Sequence, residues 1–229
     1  MGTMLLNSVS HELRTPLAAI SSVASGLRAA GILNAAQQSL TMELDEATLR
    51  LNRLVRNLLD LSRLESGHLR MNQDWHDLRD LLRSALQTLG GMVNQHEIKI
   101  DFPNHLPPVK LDAVLTEQIL VNLLGNAAVH TPPGTKVEVT ARTQEDQLVL
   151  RVADNGLGLP AGDTARWFDR FQRGPGAVAG GTGIGLSLVK GFAEAQGGSV
   201  SAENRPGGGA LFTVKLPLTK LPPLPEEAE

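Results

Sequence analysis

His11 and Glu12 stand side by side in the stretch SHELRTPL, with Thr15 four residues after the histidine and Pro16 five after it. An imidazole that titrates near neutrality offers one nucleophilic ring nitrogen, and a carboxylate accepting the other ring N–H raises that nucleophilicity. The flanking apolar residues Leu6, Val9, Leu13, Pro16, Ile20, Val23 and Leu27 alternate steps of three and four, the pattern of a helix with one apolar seam. At ~100° per residue, His11 lies almost opposite that seam, Thr15 on nearly the same exposed face and Glu12 at its flank. A buried-core role fits His11 poorly; an ordinary surface histidine and an imidazole presented for chemistry both remain open. Pro16 has no N–H and crowds the carbonyl of Glu12, so the helix should kink or loosen there at a cost of about 3 kcal/mol. Sequence neighbours on a straight helix do not face each other, so a His11–Glu12 contact depends on rotamer and on that bending.

A second set of residues follows at a distance. In EQILVNLLGNAAVHTP, Asn122 and Asn126 are four apart and share a helix face. Asparagine is a weak helix former, and its carboxamide oxygen is a hard ligand suited to Mg²⁺; two helix-surface asparagines are the plain alternative. In VADNGLGLP, Asp154 ends a strand pattern and Gly156 and Gly158 follow, where the chain can turn sharply and backbone can approach a ligand. The string DNG alone is a turn signal, but no strand follows to complete a hairpin. WFDRFQRG supplies Phe168 and Phe171, with core packing as the competing role, above all for Phe168. In GGTGIGLSLVKG, Gly181, Gly183 and Gly185 lead into a helix whose free N–H groups can meet phosphate oxygens. The loop lacks the Lys-Ser/Thr of a P-loop, and neither glycine cluster has G-x-G-x-x-G spacing.

The elements that must position these residues can be read from periodicity. After Gly31 and Asn34 supply a stop and a restart, the seam resumes at Leu40, Leu44, Ala47, Leu51, Leu54, Leu58 and Leu61. Two long helices joined by a short loop make a hairpin whose seam a lone pair cannot cover, so a second copy completing a four-helix bundle is expected, hence a homodimer. The alternative is a hairpin packed on the rest of its own chain. Beyond Gly67 the pattern becomes mixed. A strand at Leu69 to Trp75, a helix from Asp77 to about Leu89, strands at Glu97 to Phe102 and Val109 to Leu111, and a helix from about Leu115 to Val129 are predicted. Strands at Lys136 to Thr143 and Gln147 to Ala153, a helix at Leu186 to Gln196, and paired strands at Ser199 to Glu203 and Ala210 to Leu216 complete an α+β sandwich with helices on one face of a mixed sheet. The expected domains are 1–68, 69–220 and a proline-rich acidic tail, 221–229, that reads as disordered.

Composition narrows the class. In 229 residues, 21 Lys plus Arg against 24 Asp plus Glu give a net charge of -3, so no polyanion-binding surface is indicated and nucleic acid is not an expected partner. The absence of cysteine excludes disulfides and thiolate metal sites. No apolar run approaches the roughly 18 residues that span a bilayer, so the chain reads as soluble; Met1-Gly2-Thr3-Met4 reads as an expression remnant on part of an anchored protein.

SHELRTPL resembles the H-box of bacterial sensor histidine kinases, and the asparagine helix, the DNGLG turn, WFDRFQRG and GGTGIGL are similar to their N-, G1-, F- and G2-boxes in the same order. The resemblance implies a helical-hairpin phosphoacceptor domain (HisKA) forming a dimeric four-helix bundle, followed by an α/β sandwich ATP-binding domain of the Bergerat, GHKL type (HATPase_c). It assigns His11 as phosphoacceptor, Glu12 as the acid that helps remove its proton and Thr15 as the residue assisting dephosphorylation of the partner. It assigns Asn122, Asn126, His130, Asp154, Gly156, Gly158, Phe171, Gly181, Thr182, Gly183, Ile184, Gly185 and Leu186 to the nucleotide site. By the same resemblance Asn126 would hold the metal, Asp154 would accept from the adenine amino group, and residues 157–182 would form a lid over ATP. ATP, Mg²⁺ and a response regulator receiver domain are the implied cofactors and partner, with a cytoplasmic location for this part of a protein anchored at the inner membrane or joined to an N-terminal sensor domain. LVRNLLDLSRLESG and NRPGGGALF resemble the potassium-response (Kdp) type. Val129 departs from the family, which usually has Lys or Arg there; Arg170, Arg173 and Lys190 are candidates to replace that cation. Two rivals remain: a GHKL-type ATPase, which would carry a water-activating Glu where Asn122 stands, and a degenerate kinase acting as a scaffold or, through Thr15, as a phosphatase.

Overall fold

A computed structural model describes residues 16, 18–29, 31, 33–67, 69, 71–160, 162, 164–172 and 183–219. The expectations for His11, Glu12 and Thr15, for Arg173, Gly181 and Thr182, for much of the lid and for the tail 221–229 lie outside the described residues. The chain divides into two units, residues 1–69 and 70–229.

In the first unit, helix α1 (residues 18–29) is followed by α2 (Ala35–Glu65). Gly31 takes a left-handed φ of 69°, open to glycine without strain. Asn34 then starts α2 with a capping box: its side chain accepts from the Gln37 N–H at 2.9 Å while Gln37 accepts from the Asn34 N–H at 2.9 Å. An ion pair between Arg28 and Asp45 ties α1 to α2. The leucine seam is not what this unit buries. Val23, Leu27, Leu40, Leu44, Leu51 and Leu58 are exposed, whereas Ala24, Thr41, Thr48, Val55, Leu59 and, alone of the predicted α2 seam, Leu61 are buried. Threonine can be buried here because its hydroxyl is satisfied within the helix: Thr41 Oγ1 donates to Gln38 O at 2.8 Å and Thr48 Oγ1 to Leu44 O at 2.7 Å.

The described residues of the second unit form two sheets where the periodicity predicted one. Strands β1 (Gln73–His76) and β3 (Val109–Asp112) form an antiparallel pair, with Gln73 opposite Asp112 and His76 opposite Val109. β1 starts later than predicted because β3 offers partners only from that register onward. The main sheet has the order β2-β4-β5-β7-β6, formed by β2 (Glu97–Asp101), β4 (Lys136–Gln144), β5 (Gln147–Asp154), β6 (Ser199–Asn204) and β7 (Ala210–Pro217). Only β2 and β4 are parallel; the other neighbours are antiparallel. The rim strand β2 is tied to β4 by Lys99–Glu138 at 2.7 Å, Lys136–Glu97 at 3.3 Å and Arg142–Asp101 at 2.6 Å.

Helices α3 (Leu78–Leu89), α4 (Ala113–His130) and α5 (Gly185–Ala195) form the helical layer, with α4 packed against both others. α4 is apolar nearly all round, so it sits in the middle: Ile119, Leu120, Leu123 and Leu124 are buried, with Leu188, Val189 and Phe192 of α5. Asp112 starts α4 two residues before the predicted position, accepting from the Leu115 N–H at 3.0 Å. Within the predicted lid, Thr164–Phe168 form a 3-10 turn.

Candidate nucleotide-binding site

α4 carries two of the predicted side chains on one face. Asn122 is buried and its Nδ2 donates to the Gln118 carbonyl at 2.8 Å. That back-bond fixes the amide and turns Oδ1 away from the helix. At Gly185, the first residue of α5, a Cβ would lie 3.1 Å from Asn122 Oδ1 and 3.7 Å from Asn126 Oδ1. The two carboxamide oxygens therefore converge on the start of α5, and glycine is the residue that leaves them room. Among the described residues no side-chain hydrogen bond caps that helix start, and the first turn of an α-helix presents N–H groups that have no acceptor within the helix.

Asp154 closes β5 and is buried. Its Oδ1 accepts from the Gly156 N–H at 2.9 Å and the Ala210 N–H at 3.2 Å, while among the described residues nothing donates to Oδ2. One carboxylate oxygen is used to hold the turn and the other is left for a donor. Gly156 is wedged between α4 and this carboxylate: a Cβ there would lie 2.8 Å from Thr131 Cγ2 and 3.1 Å from Asp154 Oδ1. Thr131 caps α4; its hydroxyl donates to Ala127 O at 2.7 Å and lies 3.0 Å from His96 Nε2. A hydroxyl has one proton, so His96 must donate from Nε2, leaving Nδ1 buried without a partner.

Phe168 is buried in the core, the packing role weighed for it, whereas Phe171 is 64% exposed. Phe171 also has a φ of 59°, a backbone state uncommon for a bulky residue. Its backbone abuts Gly183, where a Cβ would lie 2.7 Å from Phe171 C and from Gln172 O. Ile184 buries its side chain in the core, Leu186 is half-buried, and His130 is exposed at the end of α4. The described contacts thus join Asn122 and Asn126 to Gly185, Gly156 to the end of α4, and Phe171 to Gly183.

Sequence reasoning missed the supports of this arrangement. Thr131 and His96 hold one side of the Asp154 turn. Asn204, Arg205 and Gly209 hold the other: Asn204 pairs with the backbone of Leu159, Arg205 Nη1 donates to Asp154 O at 3.1 Å, and Gly209 packs against the same carbonyl. Only the glycine-rich turn of NRPGGG marked the place in the sequence.

Residues 111–220 match the family described as histidine kinase-, DNA gyrase B-, and HSP90-like ATPase, and residues 3–67 match the His Kinase A (phospho-acceptor) domain. Sensor protein KdpD of Escherichia coli is 36% identical over 227 residues, covering 97% of this chain and 25% of the relative. The chain belongs to the sensor histidine kinases. This sensor kinase chain is also 36% identical over 218 residues to the probable sensor histidine kinase TcrY of Mycobacterium tuberculosis, covering 94% of the chain and 46% of that relative. Among solved structures, full-length ShkA in complex with AMPPNP matches with a TM-score of 0.73 and 30% identity, over 96% of this chain and 47% of that one. The sensor kinase chain spans about a quarter of the length of the KdpD relatives it matches. Among the described residues, no helix is long and apolar enough to cross a membrane.

Proposed function

We propose that this chain is the catalytic portion of its sensor kinase and moves the γ-phosphoryl group of ATP to His11, then to an aspartate of a response regulator receiver domain. The observation that carries the reading is the convergence of the Asn122 and Asn126 oxygens on Gly185 at the start of α5. Two neutral, hard oxygen donors beside a helix N-terminus suit a phosphate chain and a Mg²⁺ that keeps several waters and bridges to it, with Asn126 as the protein ligand. The ion would supply charge neutralisation on the phosphates. Asp154 Oδ2, to which nothing among the described residues donates, would accept from an adenine amino group, and the 64% exposure of Phe171 supports its covering a base. His130, Gly156, Gly158, Gly181, Thr182, Gly183, Ile184 and Leu186 complete the site in this reading, Ile184 through its backbone.

His11 acts as nucleophile, Glu12 receives or orients its ring proton, and Thr15 serves the opposing phosphatase reaction, in which water releases the phosphoryl group of the regulator's aspartate as inorganic phosphate. Such transfer depends chiefly on positioning and on neutralising charge. A carboxamide at Asn122 cannot act as a general base toward water, which argues against ATP hydrolysis as the main activity. The exposed seam of α1 and α2 supports a homodimer through a four-helix bundle, and the chain is assigned to the cytoplasmic part of a membrane-anchored sensor.

Incubation with γ-labelled ATP and Mg²⁺ tests the proposal. Acid-labile label on the protein that is absent from His11→Gln is the expected result. Free phosphate without labelled protein would instead mark an ATPase, and neither product would mark a scaffold; both outcomes overturn it.

A further inference from the structure

The turn from Asp154 to Leu159 has little apolar packing of its own. Leu157 is 90% exposed, and Asn155 is exposed as well. A segment with so few buried contacts keeps one shape only if polar ties hold it. Those ties come from two places: Lys136 of β4, whose N–H donates to Asn155 Oδ1 at 2.7 Å and whose carbonyl accepts from the Asn155 N–H at 3.2 Å, and the connection between β6 and β7. At the first residue, Arg205 Nη1 donates to Asp154 O at 3.1 Å and the Ala210 N–H donates to Asp154 Oδ1 at 3.2 Å. The connection is itself closed, with the Arg205 N–H donating to Gly209 O at 2.9 Å and the Gly208 N–H to Arg205 O at 3.1 Å.

At the last residue of the turn a single side chain does the work. Asn204 Oδ1 accepts from the Leu159 N–H at 2.6 Å and its Nδ2 donates to Leu159 O at 2.8 Å. The carboxamide thus imitates a strand partner, satisfying both backbone groups of one residue. Gly158, at a φ of 77°, fits beneath it: a Cβ there would lie 2.7 Å from Asn204 Oδ1. Asn204 is itself exposed, so the hydrophobic core does not require it.

We propose that Asn204 is a positioning residue for nucleotide binding, fixing through Leu159 the turn that presents Asp154 Oδ2. The inference rests on the nucleotide site proposed above. Losing two hydrogen bonds of ordinary strength corresponds to about a tenfold change in an equilibrium. Asn204→Ala therefore raises the KM for ATP in His11 labelling about tenfold, leaves the labelling rate at saturating ATP within about twofold, and speeds amide exchange at Leu159 about tenfold in nucleotide-free protein. Asn204→Asp keeps the acceptor for the Leu159 N–H but sets a carboxylate oxygen against Leu159 O in place of the donor, so its KM is raised as well.

Unchanged Leu159 exchange in Asn204→Ala overturns the clamp. Faster exchange with an unchanged KM, or a fall in rate and Tm together at constant KM, overturns the positioning role. The exchange measurement needs no nucleotide, so it stands apart from the kinase assignment; failure of the parent chain to bind MgATP would strike that assignment alone.

Discussion

Gly209 lies so close to the carbonyl oxygen of Asp154 that a Cβ at this position would overlap it. The glycine also has a φ of 92°, which an L-residue adopts at a cost of about 1–3 kcal/mol. Gly209→Ala therefore combines backbone strain with a clash against backbone, and a loss of ~3 kcal/mol or more is expected. Gly207, at a φ of 91° with nothing near its Cβ position, is the control: Gly207→Ala costs only about 1–2 kcal/mol. Urea unfolding of the two variants measures the difference, and equal losses would refute the close packing.

Gly185→Ala separates stability from binding. Alanine is better than glycine by up to about 1 kcal/mol in a helix interior, but Gly185 is the first residue of α5 and the Asn122 oxygen must give way, so the melting temperature should change little. The alanine Cβ would crowd the Asn122 oxygen at 3.1 Å and lie in ordinary contact with the Asn126 oxygen at 3.7 Å. MgATP affinity by calorimetry should fall about tenfold or more; undiminished affinity would mean those oxygens do not serve the ligand.

Asp154→Asn retains one carbonyl oxygen to accept the Gly156 and Ala210 N–H groups, so the turn survives. The amide NH₂ then occupies the free position and meets a donor with a donor. ATP affinity falls by on the order of a hundredfold, and a purine nucleotide with a 6-oxo group gains relative to ATP. Parallel titration with ATP and ITP checks the reversal; an unaltered ratio would remove Asp154 from base recognition.

Charges on the leucine seam test assembly. Leu44 and Leu51 are 40% and 46% exposed in the single chain, so Leu44→Glu with Leu51→Glu leaves the hairpin's own buried residues in place. Light scattering should show a dimer for the parent and a monomer of similar helicity for the variant. A monomeric parent would contradict the four-helix bundle.

Lys99 gives a pH prediction. Its hydrogen bond to Glu138 holds its pKa above the ordinary lysine range. A raised folded-state pKa contributes stability that is complete below the ordinary value and disappears as pH rises through the raised one. Lys99 is exposed, so solvent screens the pair and the effect is small. The difference in melting temperature between parent and Lys99→Met should stay constant through neutral pH and shrink only in strong alkali; a difference that changes near pH 7 would point to another group.

Periodicity revealed the helices and the antiparallel strands β4 to β7, because long runs of alternation or of three-and-four spacing report local geometry directly. It placed Asn122 and Asn126 together for the same reason. It did not reveal which face of α2 the single chain buries, since Thr41 and Thr48 look polar until their hydroxyls are paired within the helix. Nor did it reveal the separate β1–β3 pair, which depends on a register between distant segments. Asn204 and His96 were equally silent: each acts on backbone or hydroxyl groups far away in sequence, and their types at those positions carry no local pattern.

The ladder of opposite charges between β2 and β4 has a consequence for how copies of the protein meet. An outermost strand can template the addition of a foreign one, and alternating lysine and acid side chains along it oppose that growth. Glu97, Lys99 and Asp101 present such a border, already neutralised by Lys136, Glu138 and Arg142 on the inner neighbour. Concentrated samples of residues 70–229 should accordingly resist fibril formation at this border.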